Sequence, residues 1–589
     1  MYINPFLLIL LSSFFLALYE GDLIFIFVLH PLISTIIVYS FFSFLLFITR
    51  SLKKSNVILT IFFFLLLFLN EIKIFYMKEP IYLSDILLLT GLDDIVSLTN
   101  GTLLSFFKTN TVLLFLQFGC FALIILFFIK VLDFSINRQF KLIIPIILLV
   151  IISLPMKFST MLVQKVFYNH NQEDYNSFTN QLFYANYYGI IGSMYGNFLE
   201  IRIFKPEYYN EKEINKIKNY EDTNVTLKKP NIIVFLSESF FDISKIEELD
   251  FSKDVLSDYH DLEKNNKLIK MVSPTYGGRT GNVEFELLTS FNLAYYNQTY
   301  IPYIQLVDKH FKNKENLLSV LHQNGYESYL FKAYSDALYN EKKAYPYLGF
   351  QHRISFENNP DNYKGYYISD HYSVDKIIEL LNKKEDGVFY FLTTMQNHMP
   401  YSVDKYDNYS FEIKSSNLNQ SDEGVLLSYV EGLSDASKEL KRLYDYIQSI
   451  KNETIIIFLG DHLPYLSSEN GDGILEKLHY FNTDNKLLNI YRRYNIEALI
   501  LSNFKISFDN TEYLGPDLLI PYVLKSVGIH LSPYYNYLIS ESKSILPCYN
   551  RHIVVDNYGK LYNPRLIDGD MLKEYQFRNM IQYKLYYGK

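Results

Sequence analysis

Tryptophan is absent from this 589-residue chain, and only two cysteines occur, Cys120 and Cys548. Cys120 lies inside an apolar run and Cys548 close to the C-terminus, which argues against a disulfide between them. A large domain needs no disulfide, so this scarcity does not fix a compartment. Positive charge is not in excess either. The 55 Lys and Arg face 63 Asp and Glu, a net charge of -8, and no basic arm or patch stands out. Nucleic acid is therefore excluded as the expected partner. Internal repeats and low-complexity blocks are also missing. The 53 tyrosines, beside abundant Asn, Lys and Ile, fit a codon bias and carry no functional reading.

What the chain does have is a mean hydropathy near zero that hides a split. Residues 1–157 are mostly apolar and the remainder alternates as a globular protein does. Five apolar stretches stand out: Ile3–Tyr19, Leu23–Ile48, Val57–Leu69, Val112–Ile129 and Leu142–Met156. A spanning helix needs about 20 apolar residues. The second and fourth qualify outright, the third only by running past Glu71, and the fifth is short. The alternative for the fifth is a buried core helix. The first has neither a cationic start nor a small-residue cleavage site, so it reads as an uncleaved helix.

Arg50, Lys53 and Lys54 follow the second stretch, and Lys130, Arg138 and Lys141 follow the fourth. The positive-inside rule makes these loops cytoplasmic. Five spans then place the N-terminus inside and everything after residue 157 outside, a multi-pass membrane protein with an extracellular or periplasmic domain. Residues 77–110, with Pro80, Asp85, Asp93 and Asp94, form an external loop. Residues 158–229 read as a linker with short helices.

From Pro230 the pattern changes. Ile232–Leu236, Val388–Leu392 and Thr454–Leu459 are short apolar runs that suit strands buried on both faces of a parallel sheet. Helical patterns lie between them: Glu315–Asn324 closed by Gly325, Val374–Leu381, and a segment with Leu433, Ala436, Leu440, Leu443 and Ile447. Leu514–Leu546 reads as a closing helix and hairpin. The expected fold is therefore α/β, an α/β/α domain over 230–589 with a mainly parallel sheet. In open sheets of this kind ligands bind beyond the carboxyl ends of the strands. Glu238, His398, Asp461 and His462 all fall there.

Asp461-His462 sets a hard oxygen beside an imidazole nitrogen, and Glu238 adds a second carboxylate. Such a set suits Mn²⁺, Mg²⁺ or Zn²⁺ without choosing among them. Taken alone, Gly-Asp-His is equally an ordinary turn with a capping Asp. Thr280 lies in Tyr276–Leu288 (YGGRTGNVEFELL), where glycines permit close approach of backbone to a phosphate. A helix starting there would set Thr280 at an anion-favouring N-terminus. A threonine hydroxyl becomes a useful nucleophile once its proton is lost. The plainer alternative is a helix cap.

Four segments now stand together: Pro230–Ser239 (PNIIVFLSES), Gly278–Phe285 (GRTGNVEF), Asn397–Tyr401 (NHMPY) and Gly460–Pro464 (GDHLP). With the spans and the Lys205-Pro206-Glu207 linker, they resemble the lipoteichoic acid synthase family. Those are membrane-anchored phosphoglycerol transferases with a sulfatase-like domain of the alkaline phosphatase superfamily. The resemblance implies Glu238, Thr280, Asp461 and His462 as ligands of a metal, usually Mn²⁺. It implies Thr280 as nucleophile and His398 as the histidine assisting at substrate or leaving group. Phosphatidylglycerol would be the donor, and a polymer or glycan hydroxyl the acceptor.

Gly325–Gly349 departs from the pattern, with Lys332 and Glu341 where the family has a histidine and an arginine that contact phosphoglycerol. Lys332 and Arg279 are expected to pair with a phosphate, and Glu341 reads as a solvated helix charge. The alternatives are a phosphoethanolamine transferase, which usually carries external disulfides this chain cannot form, and an inactive membrane sensor, which would not need a complete metal set. A sulfatase activity fits poorly, because Ser273-Pro274 and Arg279 have the wrong spacing for a formylglycine site.

Overall fold

The computed structural model describes residues 38, 41–77, 80–81, 194, 203, 205–221, 229–296, 300–308, 311–334, 340–383, 386–468 and 473–588. The chain divides into two compact units, with the boundary between Ile203 and Phe204.

In the first unit, helix α1 (Leu52–Met77, 26 residues) contains the third apolar stretch and continues past Glu71, as the required length demanded. Its segment Leu52–Glu71, mean hydropathy 1.9, is the one helix among the described residues long and apolar enough to cross a membrane. Of the second stretch, Val38, Phe42, Leu45 and Leu46 pack against Leu52, Leu59 and Phe63. The first, fourth and fifth stretches lie outside the described residues, as does the 77–110 loop apart from residues 77, 80 and 81. The five-helix arrangement is thus not established by what is described.

The second unit is built on a seven-stranded sheet: β1 (Asn231–Ser237), β2 (Lys267–Val272), β3 (Glu327–Lys332), β4 (His352–Ile354), β5 (Val388–Thr393), β6 (Thr454–Gly460) and β7 (Asn495–Ser502). Their spatial order is β2-β7-β6-β1-β5-β3-β4. Strands β6, β1, β5, β3 and β4 are mutually parallel. Only β7 runs antiparallel to both its neighbours, β6 and β2. Every residue of β1, β5 and β6 is buried, which explains why these strands read as unbroken apolar runs rather than alternating ones.

Register positions the site. Ser237 pairs with Gly460, so Glu238 and Asp461 leave the sheet side by side. Leu236 pairs with Thr393, and Thr393 with Lys332, so the ends of β1, β5 and β3 lie level. Because β7 reverses twice, β2 points the same way as β6 and delivers the 273–280 loop to that same edge.

Around the sheet run α2 (Ser257–Glu263), α3 (Thr280–Thr289), α4 (Leu317–Gln323), α5 (Glu341–Leu348), α6 (Asp370–Leu381), α7 (Gln420–Ser449), α8 (Pro516–Ser526) and α9 (Gly569–Tyr587). Helix α7 packs with α2 and α6, and α3 packs with α4 and α8. Ser369 starts α6 by accepting from the Tyr372 amide, and Asn419 starts α7 by accepting from that of Asp422. The closing segment is more elaborate than a helix and hairpin. After α8 come a short helix at Pro533–Tyr537, a three-stranded sheet from Cys548 to Tyr562, and α9. Residues of the expected linker join this unit: the Asn210 amide donates to Met580 Sδ of α9 at 3.1 Å, and Asn579 Nδ2 to Tyr208 Oη at 2.6 Å.

Candidate active site

The loop after β1 crosses directly over the end of β6. A Cβ on Gly460 would lie 2.0 Å from the Phe240 carbonyl oxygen, so only glycine fits there. Ser239, at φ 54°, takes the left-handed conformation a non-glycine residue rarely adopts. The strain brings its amide to Asp461 Oδ1 at 2.7 Å while its hydroxyl donates to Glu238 Oε1 at 2.8 Å. One serine thus orients both carboxylates. Asp461 Oδ1 also accepts from the His462 amide at 2.8 Å.

Thr280 opens α3 behind Arg279, itself left-handed at φ 68°. The threonine hydroxyl does not cap its helix. It donates to Asp461 Oδ2 at 2.7 Å and stands 3.5 Å from Glu238 Oε2. The glycines before it serve the turn. The Gly277 amide donates to the Leu463 carbonyl, and a Cβ there would meet Tyr465 Cβ at 2.9 Å.

His462 decides what the cluster can hold. Its Nδ1 lies 3.0 Å from the Leu463 carbonyl, which can only accept, so Nδ1 carries a proton and Nε2 is the nitrogen left to serve as a ligand. That buried Nε2 has no hydrogen-bond partner and faces Asp461 Oδ2 at 3.2 Å and Glu238 Oε1 at 3.9 Å. One ligand atom from each of Glu238, Asp461 and His462 lies within 4.8 Å of the others. Two carboxylates and an imidazole nitrogen converging in a buried site, with only the Thr280 and Ser239 hydroxyls donating to them, fit a divalent cation. Burial and the neighbouring Asp461 push the Glu238 carboxyl well above the usual carboxylate range.

His398 follows β5. Its Nδ1 lies 2.7 Å from the Met399 carbonyl, leaving Nε2 as the ring's acceptor, and Tyr367 Oη lies 3.2 Å from Nδ1. Burial lowers its pKa to about 4. Behind it sits Lys405, 3% exposed, whose Nζ donates to the His398 carbonyl at 2.8 Å and lies 5.1–5.8 Å from the ring centroids of Tyr367, Tyr401 and Tyr406. Burial lowers the Lys405 pKa to about 7.

Glu238, Thr280, Asp461 and His462 are therefore brought together, with His398 on the next strand end. Lys332 is placed differently from the expectation that it pairs with a phosphate. Buried at the end of β3, its Nζ donates to Glu341 Oε1 at 2.6 Å and to Tyr345 Oη at 3.1 Å, 3.5 Å from Glu284 Oε1. Glu341 is no solvated helix charge. It is 1% exposed, because the ammonium of Lys332 compensates its burial. Arg279 is half-buried beside Thr280. Sequence reasoning missed Ser239, Lys405, Tyr367 and Glu284. Only Ser239 had a local signal, its place directly after Glu238.

The profile of the sulfatase family matches residues 230–529, half of the chain, and all four motif segments fall inside that stretch. The chain belongs to the sulfatase family. Among curated proteins, a "Putative cyclic beta-1,2-glucan modification protein" of Rhizobium meliloti (strain 1021) is 28% identical over 368 residues, 61% of this chain. The chain spans about half of that relative, 55% of its length. Among solved structures, the fold is similar to a Streptococcus pyogenes phosphoglycerol transferase, GacH, bound to sn-glycerol-1-phosphate. That likeness has a TM-score of 0.51 at 22% identity and covers 66% of this chain and 96% of the other. It is also similar to EptA, an integral membrane lipooligosaccharide phosphoethanolamine transferase from Neisseria meningitidis. There the TM-score is 0.50 at 12% identity, with 89% and 93% covered. The expected sulfatase-like α/β domain with a mostly parallel sheet is thus the fold of this sulfatase-family chain.

Proposed function

We propose that the protein is a membrane-anchored, metal-dependent phosphotransferase. It moves glycerol phosphate from phosphatidylglycerol, through a covalent adduct on Thr280, to a hydroxyl of a cell-envelope glycan or polymer. The observation that carries this reading is the Thr280 hydroxyl, half-buried at the head of α3 and 2.7 Å from Asp461 Oδ2 in the cleft of Glu238 and His462. Glu238, Asp461 and His462, with Thr280, would hold the cation, Mn²⁺ being the expected one. When bound, it supplies positive charge that favours the threonine alkoxide and neutralises the phosphoryl oxygens.

In the first half-reaction the Thr280 Oγ1–phosphorus bond forms and the bond from phosphorus to the diacylglycerol oxygen breaks. Asp461 Oδ2 stands ready for the threonine proton, and the leaving diacylglycerol oxygen takes up one proton in exchange. In the second half an acceptor hydroxyl attacks phosphorus and gives its proton to His398 Nε2, while the Thr280 Oγ1–phosphorus bond breaks and Thr280 Oγ1 takes up a proton in turn. His398, neutral when the cycle starts, gives that proton up again and so acts as a general base in the second half. The tautomer fixed by the Met399 carbonyl, with Nε2 as acceptor, suits the second half. Most of the rate enhancement would come from positioning and charge, as in other phosphoryl transfers.

Mass spectrometry of Thr280 after incubating the full-length protein with Mn²⁺ and fluorescent phosphatidylglycerol tests the reading. A glycerophosphate adduct with released diacylglycerol, both absent in Thr280→Ala, is expected. A phosphoethanolamine adduct from a mixed lipid pool would favour the second reading, a phosphoethanolamine transferase, which the fold likeness over 89% of the chain keeps in view. No adduct together with no bound metal would sink both.

A further inference from the structure

Beside His398 the chain builds a small rim that neither the cation site nor Thr280 uses. A tight hairpin pairs Tyr363 with Ile368 and Lys364 with Tyr367. At its tip, adjacent residues face opposite ways. Tyr367 is buried, with its hydroxyl donating to the Met399 carbonyl at 2.5 Å beside His398. Tyr366 is 42% exposed. The tip is seated closely: a Cβ on Gly365 would lie 2.9 Å from the Lys405 carbonyl oxygen.

Tyr366 is held in place although exposed. Its hydroxyl lies 2.6 Å from Ser402 Oγ and 3.3 Å from Asp404 Oδ1. Val403, 59% exposed, sits between those two partners in sequence, and Tyr409 Oη fixes the loop by donating to the Val403 carbonyl at 2.7 Å. The outcome is a fixed aromatic ring whose hydroxyl meets a serine hydroxyl and an exposed carboxylate, with an exposed valine between those two on the same loop.

We infer that Tyr366, with Val403, Ser402 and Asp404, is the subsite that receives the acceptor, and that the acceptor is a neutral carbohydrate. This rests on the two-step transfer proposed above. In such a transfer the acceptor oxygen enters where the leaving alcohol departed, on the side of phosphorus away from Thr280, and gives its proton to His398. Groups flanking His398 are therefore the ones an acceptor meets. A pyranose has a face of C–H groups that packs on the negative face of an aromatic ring, and hydroxyls at its edge that donate to a carboxylate. A rigid tyrosine offers that contact at small entropic cost.

Charge separates this occupant from a lipid surface. An anionic bilayer recruits unpaired basic side chains. Here Lys364 is paired with Asp435 and Lys405 is buried, whereas Asp404 and Asp407 stay exposed. The rim thus presents negative and neutral groups, which suit a polyhydroxyl chain and repel phospholipid phosphates.

The experiment separates the two halves in full-length protein with Mn²⁺. The donor half is read as the rate of the Thr280 adduct from fluorescent phosphatidylglycerol, the acceptor half as discharge of that adduct by a soluble neutral β-glucan oligosaccharide. Tyr366→Ala is expected to raise the oligosaccharide concentration needed for half-maximal discharge about tenfold or more, with the rate of adduct formation unchanged. Tyr366→Phe keeps the ring and should fall between. Val403→Ser, which leaves the hairpin contacts in place, should weaken discharge in the same sense. Equal slowing of both halves, or no change in either, would overturn the subsite. Calorimetric binding of the oligosaccharide to Thr280→Ala, with and without Tyr366→Ala, decides it independently. Binding lost with Tyr366 supports the subsite even if no lipid adduct ever forms. Binding indifferent to Tyr366 refutes it even if the adduct does.

Discussion

Asp461 has both carboxylate oxygens engaged, Oδ1 by the amides of Ser239 and His462 and Oδ2 by the Thr280 hydroxyl. Replacing it by Asn cannot satisfy all three donors and the cation, because one oxygen becomes an NH₂. Asp461→Asn is expected to lower Mn²⁺ affinity at least tenfold, read by titration calorimetry, with the far-ultraviolet circular dichroism unchanged. Retained affinity would remove Asp461 from the cation site. His398 gives a separate expectation. Burial lowers its pKa from 6.5 to about 4, so the ring is neutral, and able to accept at Nε2, at every pH above about 4. Acceptor discharge should therefore keep its rate as pH falls through 6.5 and decline only towards 4. A rate halved near pH 6.5 would mean that His398 is not the proton acceptor. The same depression has a stability consequence. Between pH 6.5 and 4 the unfolded chain binds a proton that the folded one refuses, so this contribution to stability is lost as pH falls through that window.

At the scale of elements, α3 shows how the Thr280 hydroxyl is aimed. Glu284, one turn after Thr280, is 0% exposed and gathers donors from four directions. Thr393 Oγ1 at the end of β5 stands 2.9 Å from Oε1, with Lys332 Nζ at 3.5 Å, while Tyr345 and Tyr303 hydroxyls reach Oε2 at 2.7 and 3.1 Å. Removing one partner of such a buried network leaves the others unsatisfied, at about 3–5 kcal/mol. Glu284→Ala is expected to lose stability on that order in chemical denaturation. Glu284→Gln should keep the fold better, while slowing adduct formation on Thr280. If Glu284→Gln is as active as wild type, α3 is aimed by other contacts. Apolar runs ending in Ser-Glu-Ser or Gly-Asp-His made β1, β6 and the clustering of Glu238, Asp461 and His462 legible, because both faces of a parallel strand are buried and these residues sit just beyond its end. Lys332 and Glu341 were not legible. A charge at the end of a strand and another opening a helix look solvated until the fold sets them 2.6 Å apart. Lys405 was invisible for the same reason, as no local pattern announces that three tyrosines will enclose an ammonium.

For the globular unit as a whole, the C-terminal helix was the element least readable from sequence. Its alternation of Tyr, Met and charge hides that Arg578 is fully buried against Asp517 of α8, with Tyr549 beneath its guanidinium. The cation cluster at the opposite extreme of legibility gives the unit its clearest whole-molecule test. Without a cation, burial and Asp461 hold the Glu238 carboxyl well above its ordinary 4.5. The folded protein then retains a proton that the unfolded chain loses above 4.5, so this group's contribution to stability declines as pH rises from there. A bound cation reverses the sign, since it requires the carboxylate and displaces the proton. Mn²⁺ at a hundred times its dissociation constant stabilises the fold by about 2.7 kcal/mol. The dissociation constant itself should fall as pH rises, because less proton is left to displace. Thermal unfolding of the full-length protein at one fixed Mn²⁺ concentration, against a chelator control, should therefore show a larger upward shift at pH 8 than at pH 5. The shift should fall to about half or less in Asp461→Asn, as a tenfold or greater loss of affinity requires. A shift of equal size at both pH values would mean that the cation binds without displacing a proton from Glu238, and a shift that survives undiminished in Asp461→Asn would place the cation elsewhere.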